Sequence, residues 1–85
     1  MKISKGFCVK IPDGRIGRVR EFNKQSGKWK IRVKRQTSNT HQFLYFYNYE
    51  LTIVDCPKGW MSVTGYNNYL SITLKKMKQR QQLKQ

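Results

Sequence analysis

The chain has 85 residues, of which 18 are Lys or Arg and 4 are Asp or Glu, for a formal net charge of +14 with 38% hydrophobic and 13% aromatic residues. That length allows one small domain with a modest core, burying roughly 60% of its unfolded surface. Eleven aromatics argue against a disordered polybasic chain, and no apolar run approaches the roughly 18 residues of a membrane span.

The opening segment, Met1 to Lys10, carries charge but no apolar stretch of the signal-peptide kind, so a cytoplasmic, non-secreted protein is expected. Phe7, Val9 and Ile11 then alternate with Cys8 and Lys10, the period of a half-buried strand. Pro12-Asp13-Gly14 is a turn: Pro fixes φ, Asp favours turn geometry and Gly accepts positive φ. A second strand follows over Arg15 to Phe22. Its alternation slips between Ile16 and Val19, and Gly17 marks a bulge or a close backbone approach. Asn23 to Lys28 reads as a hairpin loop.

The third strand has the cleanest pattern. Trp29, Ile31 and Val33 point to one side, and Lys30, Arg32 and Lys34 to the other. After a polar loop over Gln36 to Thr40, His41 to Tyr49 forms an aromatic fourth strand. It places Leu44 and Phe46 on one face, with Phe43, Tyr45, Tyr47 and Tyr49 on the other. Leu51 to Val54 is a short fifth strand, broken by Cys56-Pro57-Lys58-Gly59, with Trp60-Met61 placed as a lid over an open end of the core.

From Gly65 onward Tyr66, Tyr69, Leu70, Thr73, Leu74 and Met77 recur at helical spacing, with Thr64 or Asn67 as the cap. The chain divides accordingly into a β domain over residues 1–63, charge +9, and a basic helical extension over 64–85, charge +5. Five short strands in about 50 residues suggest a small barrel, which closes to remove its sheet edges. The expected fold is therefore mainly β: a small five-stranded SH3-like barrel followed by a C-terminal basic α-helix.

Cys8 and Cys56 lie 48 positions apart, and His41 is the sole histidine. A structural zinc site takes about four N or S ligands, more than this chain offers. A disulfide between the two cysteines is geometrically open, but without an export signal two reduced thiols are expected. No paired carboxylates, Gly-rich phosphate loop or nucleophile elbow is present, so neither catalysis nor a cofactor is expected.

A charge of +14 costs stability by self-repulsion and points to a polyanionic partner, nucleic acid first. Lys10, Arg18, Arg20, Lys30, Arg32 and Lys34 all fall opposite Val9, Ile11, Val19, Trp29, Ile31 and Val33. An antiparallel meander would gather those six cations into one patch. Ordinary solvated faces mix signs; here Glu21 at the margin is the only acid. Arg15 and Arg35 extend the patch, and Lys75, Lys76, Lys78 and Arg80 add reach from the tail. Tyr45, Tyr47 and Trp60 are candidates for stacking on bases. The competing role for the aromatic strand, and the favoured one, is packing under the C-terminal helix, which needs a docking surface.

The run from Lys5-Gly6-Phe7-Cys8-Val9-Lys10-Ile11, through Gly14-Arg15-Ile16-Gly17-Arg18-Val19, to Trp29-Lys30-Ile31-Arg32-Val33 resembles a KOW-type segment of the SH3-like barrel superfamily. That pattern has a Gly before a first strand, a Gly-x-x-Gly-x-Val turn into the second, and a hydrophobic third. It covers about residues 5–55 when the fifth strand is included, although the turn from Ile11 to Gly17 is shorter than such segments show. The resemblance implies RNA, DNA or protein contact through loops and outer face, and the charge selects nucleic acid. The expected function is a non-enzymatic nucleic-acid-binding module, RNA or DNA, accessory to a larger nucleoprotein complex. The alternative is an SH3- or Tudor-like module gripping an acidic or methylated peptide through Tyr45, Tyr47 and Trp60.

Overall fold

The computed structural model describes the backbone of residues 2–83, with side chains through Thr73. Five strands and one helix follow in chain order: β1 (Cys8–Lys10), β2 (Ile16–Asn23), β3 (Lys28–Lys34), β4 (His41–Phe46), β5 (Thr52–Val54) and α1 (Val63–Leu83), with a short 3-10 turn at Asn48–Glu50 between β4 and β5. All strands lie in one antiparallel sheet in the order β4-β3-β2-β1-β5. The protein is mainly β, as the alternation predicts, but the sheet does not close into a barrel. β4 and β5 stand at opposite edges without pairing to each other. Three-residue β1 and β5 give only a short ladder at that end, and the 3-10 turn ends β4 before it can reach β5.

Local chemistry fixes the turns. At Pro12-Asp13-Gly14 the Gly14 N–H donates to the Ile11 carbonyl at 2.9 Å, and the Arg15 N–H to Asp13 Oδ1 at 2.9 Å. In the β2–β3 hairpin, Asn23 Oδ1 accepts from the N–H groups of Gln25 and Ser26. The irregularity in β2 lies between Val19 and Glu21, where the register shifts and Arg20 is the extra residue. Gly17 is the close approach instead. A Cβ there would sit 2.6 Å from Ile31 Cγ2 and 3.0 Å from the Arg32 carbonyl oxygen.

One face of the sheet carries the core. Val9, Val19, Ile31 and Val33 are almost fully buried, joined by Ile3, Ile11 and Leu51, with Trp29, Leu44 and Phe46 packed against them. Cys8 and Cys56 are joined in a disulfide with Cα atoms 5.2 Å apart, overturning the expectation of two thiols. The bond is possible because β1 pairs with β5 in a register that sets Cys8 opposite Val54, two residues before Cys56.

Helix α1 starts two residues earlier than Gly65. Its cap is Ser62, whose Oγ accepts the Gly65 N–H at 3.0 Å, and neither Thr64 nor Asn67 has that role. Asn67 instead donates from Nδ2 to the Lys5 carbonyl at 3.1 Å. The helix seats itself against Gly6, whose φ is +90° and whose missing Cβ would lie 3.0–3.1 Å from Asn67 and the Val63 carbonyl. A side chain at residue 6 would meet both the left-handed backbone and the helix. Tyr66 and Leu70 are buried, whereas Tyr69, expected on the same stripe, is exposed. No helix among the described residues is long and apolar enough to cross a membrane.

Candidate functional site

Direct cross-strand partners share a face of a sheet, so the register assigns the side opposite the core residue by residue. Lys10 pairs with Ile16, Arg18 with Arg32, Arg32 with Phe43, Lys30 with Tyr45 and with Glu21, and Lys34 with His41. The expected cations therefore do share one face, interleaved with the exposed aromatic side chains of β4. Phe43 and Tyr45 are 44% and 45% exposed. Among the described residues, through Thr73, the helix does not dock on them; it lies against Lys5, Gly6 and Arg18. The favoured expectation that α1 covers the aromatic strand is thus corrected, since an apolar stripe announces burial without naming the surface that receives it.

Cations and rings on this face are in contact. The Lys30 Nζ is 4.5 Å and the Arg20 Cζ 5.2 Å from the Phe43 ring centroid. The Lys28 Nζ is 5.0 Å from that of Tyr47. The bulge in β2 explains how Arg20 reaches Phe43 while its neighbour Glu21 reaches Lys30 at 3.7 Å. Lys28 was absent from the sequence-derived set. Extending the alternation of Lys30, Arg32 and Lys34 one step back would have found it.

β4 ends at Phe46, three residues short of Tyr49, because Glu50 folds back to accept the Tyr47 N–H at 2.7 Å and the chain turns into the 3-10 segment. Tyr47 and Tyr49 consequently leave the ladder and stack on one another, centroids 5.4 Å apart and planes 9° from parallel.

Two of the expected phosphate contacts have other partners. Arg15 binds Asp13 through Nε at 2.8 Å and Nη2 at 2.7 Å and donates from Nη1 to the Lys34 carbonyl, tying the β1–β2 turn to the end of β3. The side-chain bond from Arg15 holds the Asp13 carboxyl below its ordinary value. Arg18 is buried, 5% exposed. Its Nε donates to the Gly6 carbonyl at 2.8 Å, its Nη1 to the Met61 carbonyl at 2.6 Å, and its guanidinium lies 4.5 Å from the Tyr66 ring centroid. A residue on the outer face of an edge-to-edge open sheet becomes interior when the helix start covers it. Burial pushes the Arg18 group down from its ordinary value, with Tyr66 opposing the shift.

Of the remaining candidates, Lys10, Lys34 and Arg35 are exposed, while Arg20, Lys30 and Arg32 are half-buried. Arg35 Nη1 reaches Gln42 Oε1 at 3.4 Å. The side chains of Lys75, Lys76, Lys78 and Arg80 lie outside the described residues. Trp60 and Met61 do not close the core. They lean over the cationic face and, with Arg18, Arg32, Lys34 and His41, line a cleft of about 370 Å³. Burial first, then the charges of Arg32 and Lys34, holds the His41 imidazole below its ordinary value of 6.5. Among the described residues no group of three His, Cys, Asp or Glu side chains converges as a metal site would require.

No protein-family model, curated protein or solved structure matches the chain.

Proposed function

We propose that this protein is a non-enzymatic nucleic-acid-binding module whose contact surface is the β3–β4 outer face, serving as an accessory factor in a larger nucleoprotein assembly. The observation that carries the reading is the cross-strand interleaving of Lys30, Arg32 and Lys34 with Phe43 and Tyr45, all on one side of the sheet. Each component has a physical task. Cations release counterions from phosphates and supply affinity, while exposed rings offer stacking platforms worth roughly 1–3 kcal/mol per base. Exposed aromatics are unnecessary for binding a uniform phosphate rod and useful for unpaired bases, so the preferred ligand is a single strand.

An aromatic cage for a methylated cation would need acids beside it, and the acids near β4 are engaged or distant. Glu50 holds the Tyr47 N–H and Glu21 pairs with Lys30. The field of a chain at +14 repels such a ligand as well. An acidic peptide remains the relevant competitor and is separated by experiment.

The test is binding to labelled single-stranded RNA, single-stranded DNA and duplex DNA across a salt series. For a strand neutralising about six phosphates, log affinity should fall against log salt with a slope of roughly −4. Changing Lys30, Arg32 and Lys34 together to Gln should weaken binding and flatten that slope by about 2. Weak, salt-insensitive binding to all three ligands, with capture of a polyglutamate peptide, would remove the proposal.

A further inference from the structure

The cleft beside the β3–β4 face is floored by two buried residues that carry unmet polar atoms. Arg18 Nη2 and the Tyr66 hydroxyl are both buried, and neither has a hydrogen-bond partner among the described residues. Arg18 also lacks an acid. The two ion pairs among those residues join Arg15 to Asp13 and Lys30 to Glu21. A buried cation balanced only by two carbonyls and a ring carries a desolvation cost that an anion would offset. Around this floor stand two further cations, Arg32 and Lys34, and the ring of His41. No carboxylate lines the cleft. Its remaining wall is apolar, made by Ile16, Trp60 and Met61, of which Trp60 and Met61 are 44% and 49% exposed. The volume of about 370 Å³ falls at the small end of the roughly 300–1,000 Å³ typical of small-molecule sites.

We propose that this cleft binds a nucleotide carrying a phosphate monoester, with the phosphate on Arg18 and Tyr66 and the base against Trp60. This rests on the nucleic-acid reading for one of its two sources, the 5′-phosphorylated end of a bound strand; the other source is a free nucleoside monophosphate. The charge count favours a monoester, which carries about −1.5 to −2 at neutral pH, over the single charge of a diester. The position of the floor favours it too. A phosphate within a strand has a nucleotide on each side, whereas a terminal one can reach a group as deep as Arg18. Seating it gives the unmet Arg18 Nη2 a charged acceptor, a bond roughly twice as strong as one to a neutral group, and leaves the Nη1 bond to the Met61 carbonyl in place.

The experiment has two arms at fixed ionic strength. In the first, AMP, adenosine and inorganic phosphate are titrated by calorimetry into the full chain and into Tyr66→Phe. AMP should bind at least about tenfold more tightly than either fragment, as expected where a charged hydrogen bond and stacking act together. Tyr66→Phe removes a hydroxyl with no partner, so its thermal midpoint should stay level or rise while AMP affinity drops several-fold. In the second arm, ten-nucleotide strands with a 5′-phosphate or a 5′-hydroxyl are compared, and the phosphate should add about tenfold in affinity in the wild type but not in Tyr66→Phe.

Equal affinity for AMP and adenosine overturns the proposal, as does displacement of AMP by hexaglutamate at equal concentration. If Tyr66→Phe fails to fold, Lys34→Gln replaces it in both arms, and unchanged AMP affinity there has the same consequence. Salt-sensitive strand binding that ignores the 5′ end, together with equal affinity for AMP and adenosine, would remove this cleft while leaving the β3–β4 face intact. AMP binding without strand binding would restrict the ligand to the free nucleotide and remove the reading of the face.

Discussion

The Lys30 ammonium rests 4.5 Å from the centre of the Phe43 ring, although Lys30 is paired across the ladder with Tyr45. The lysine thus leans diagonally onto the neighbouring ring, which it shares with Arg20, 5.2 Å from the same centroid. A nucleobase stacked on Phe43 would have to displace this cation–π contact, worth roughly 0.5–1 kcal/mol at an exposed site, and would gain stacking of roughly 1–3 kcal/mol in exchange. The exchange favours the base, and the displaced ammonium is then free to meet the adjoining phosphate.

Phe43→Ala and Tyr45→Ala should therefore each weaken single-strand binding by about 5- to 100-fold, within the range for one lost stacking platform. Both rings are about half exposed, so the fold should survive, as checked by circular dichroism and a denaturant midpoint. The salt slope should stay at the wild-type value because no phosphate contact is removed. A lost slope with retained affinity would show that the rings act only by positioning Lys30.

Gly17→Ala should destabilise the protein by about 1–3 kcal/mol, the usual cost of overfilling a packed core. The added carbon would stand 2.6 Å from Ile31 Cγ2 and 3.0 Å from a backbone oxygen, and neither can yield as a flexible side-chain end would. Urea unfolding measures it directly, with a lower midpoint and an unchanged m-value as the expected outcome. A midpoint within error of the wild type would mean that β2 and β3 separate easily at this point.

Much of the fold is legible because period-2 alternation reports a local property. Trp29, Ile31 and Val33 had to share a face whatever the rest of the chain did, and the opposing cations followed. Position 17 announced a close approach through its lack of a side chain. The slip in β2 was readable as well, but its place was not: Val19 and Glu21 bracket it because register depends on β3. The burial of Arg18 was unreadable for a different reason. Arg18 and Arg32 have the same pattern and pair with each other, and the approach of Gly6, Met61 and Tyr66 makes one of them interior. The bond between Cys8 and Cys56 depended likewise on a β1–β5 ladder formed by residues about 45 positions apart, a separation that sets no distance by itself.

Reduction of the Cys8–Cys56 bond should lower stability substantially. The bond joins β1 to the segment after β5 across a separation of 48 residues, and closing such a loop stabilises a domain by about 4 kcal/mol in the chain-entropy account, with measured values commonly 2–4. A chain this short has little core to compensate. At about 4–8 °C per kcal/mol for a domain of this size, the thermal midpoint should fall by on the order of 10–20 °C in reductant. Cys8→Ala with Cys56→Ala should reproduce the fall and abolish the response to reductant. Identical midpoints in oxidised and reduced wild type would show that the two sulfurs contribute only as small apolar groups.

Strand binding should tighten as the pH is lowered from 7 toward 5, through His41. In the free protein its imidazole is held below its ordinary value of 6.5 by slight desolvation and by the Arg32 and Lys34 charges, so it is mostly neutral at pH 7. The folded value lies below the unfolded one, so His41's small contribution to stability is present above pH 6.5 and is lost as the pH falls through the folded value. Binding works in the opposite sense. A phosphate beside His41 offsets the two cations and favours the imidazolium, which raises the pKa in the complex and couples binding to proton uptake. Affinity should therefore rise by up to about tenfold for each unit by which the pKa is raised. A 5′-hydroxyl strand is used so that no monoester titrates over the same range. His41→Asn should give a flat profile from pH 7 to 5, with pH 7 affinity close to wild type because the neutral ring adds no charge there. A slope that persists in His41→Asn would assign the proton to another group and take His41 off the contact surface.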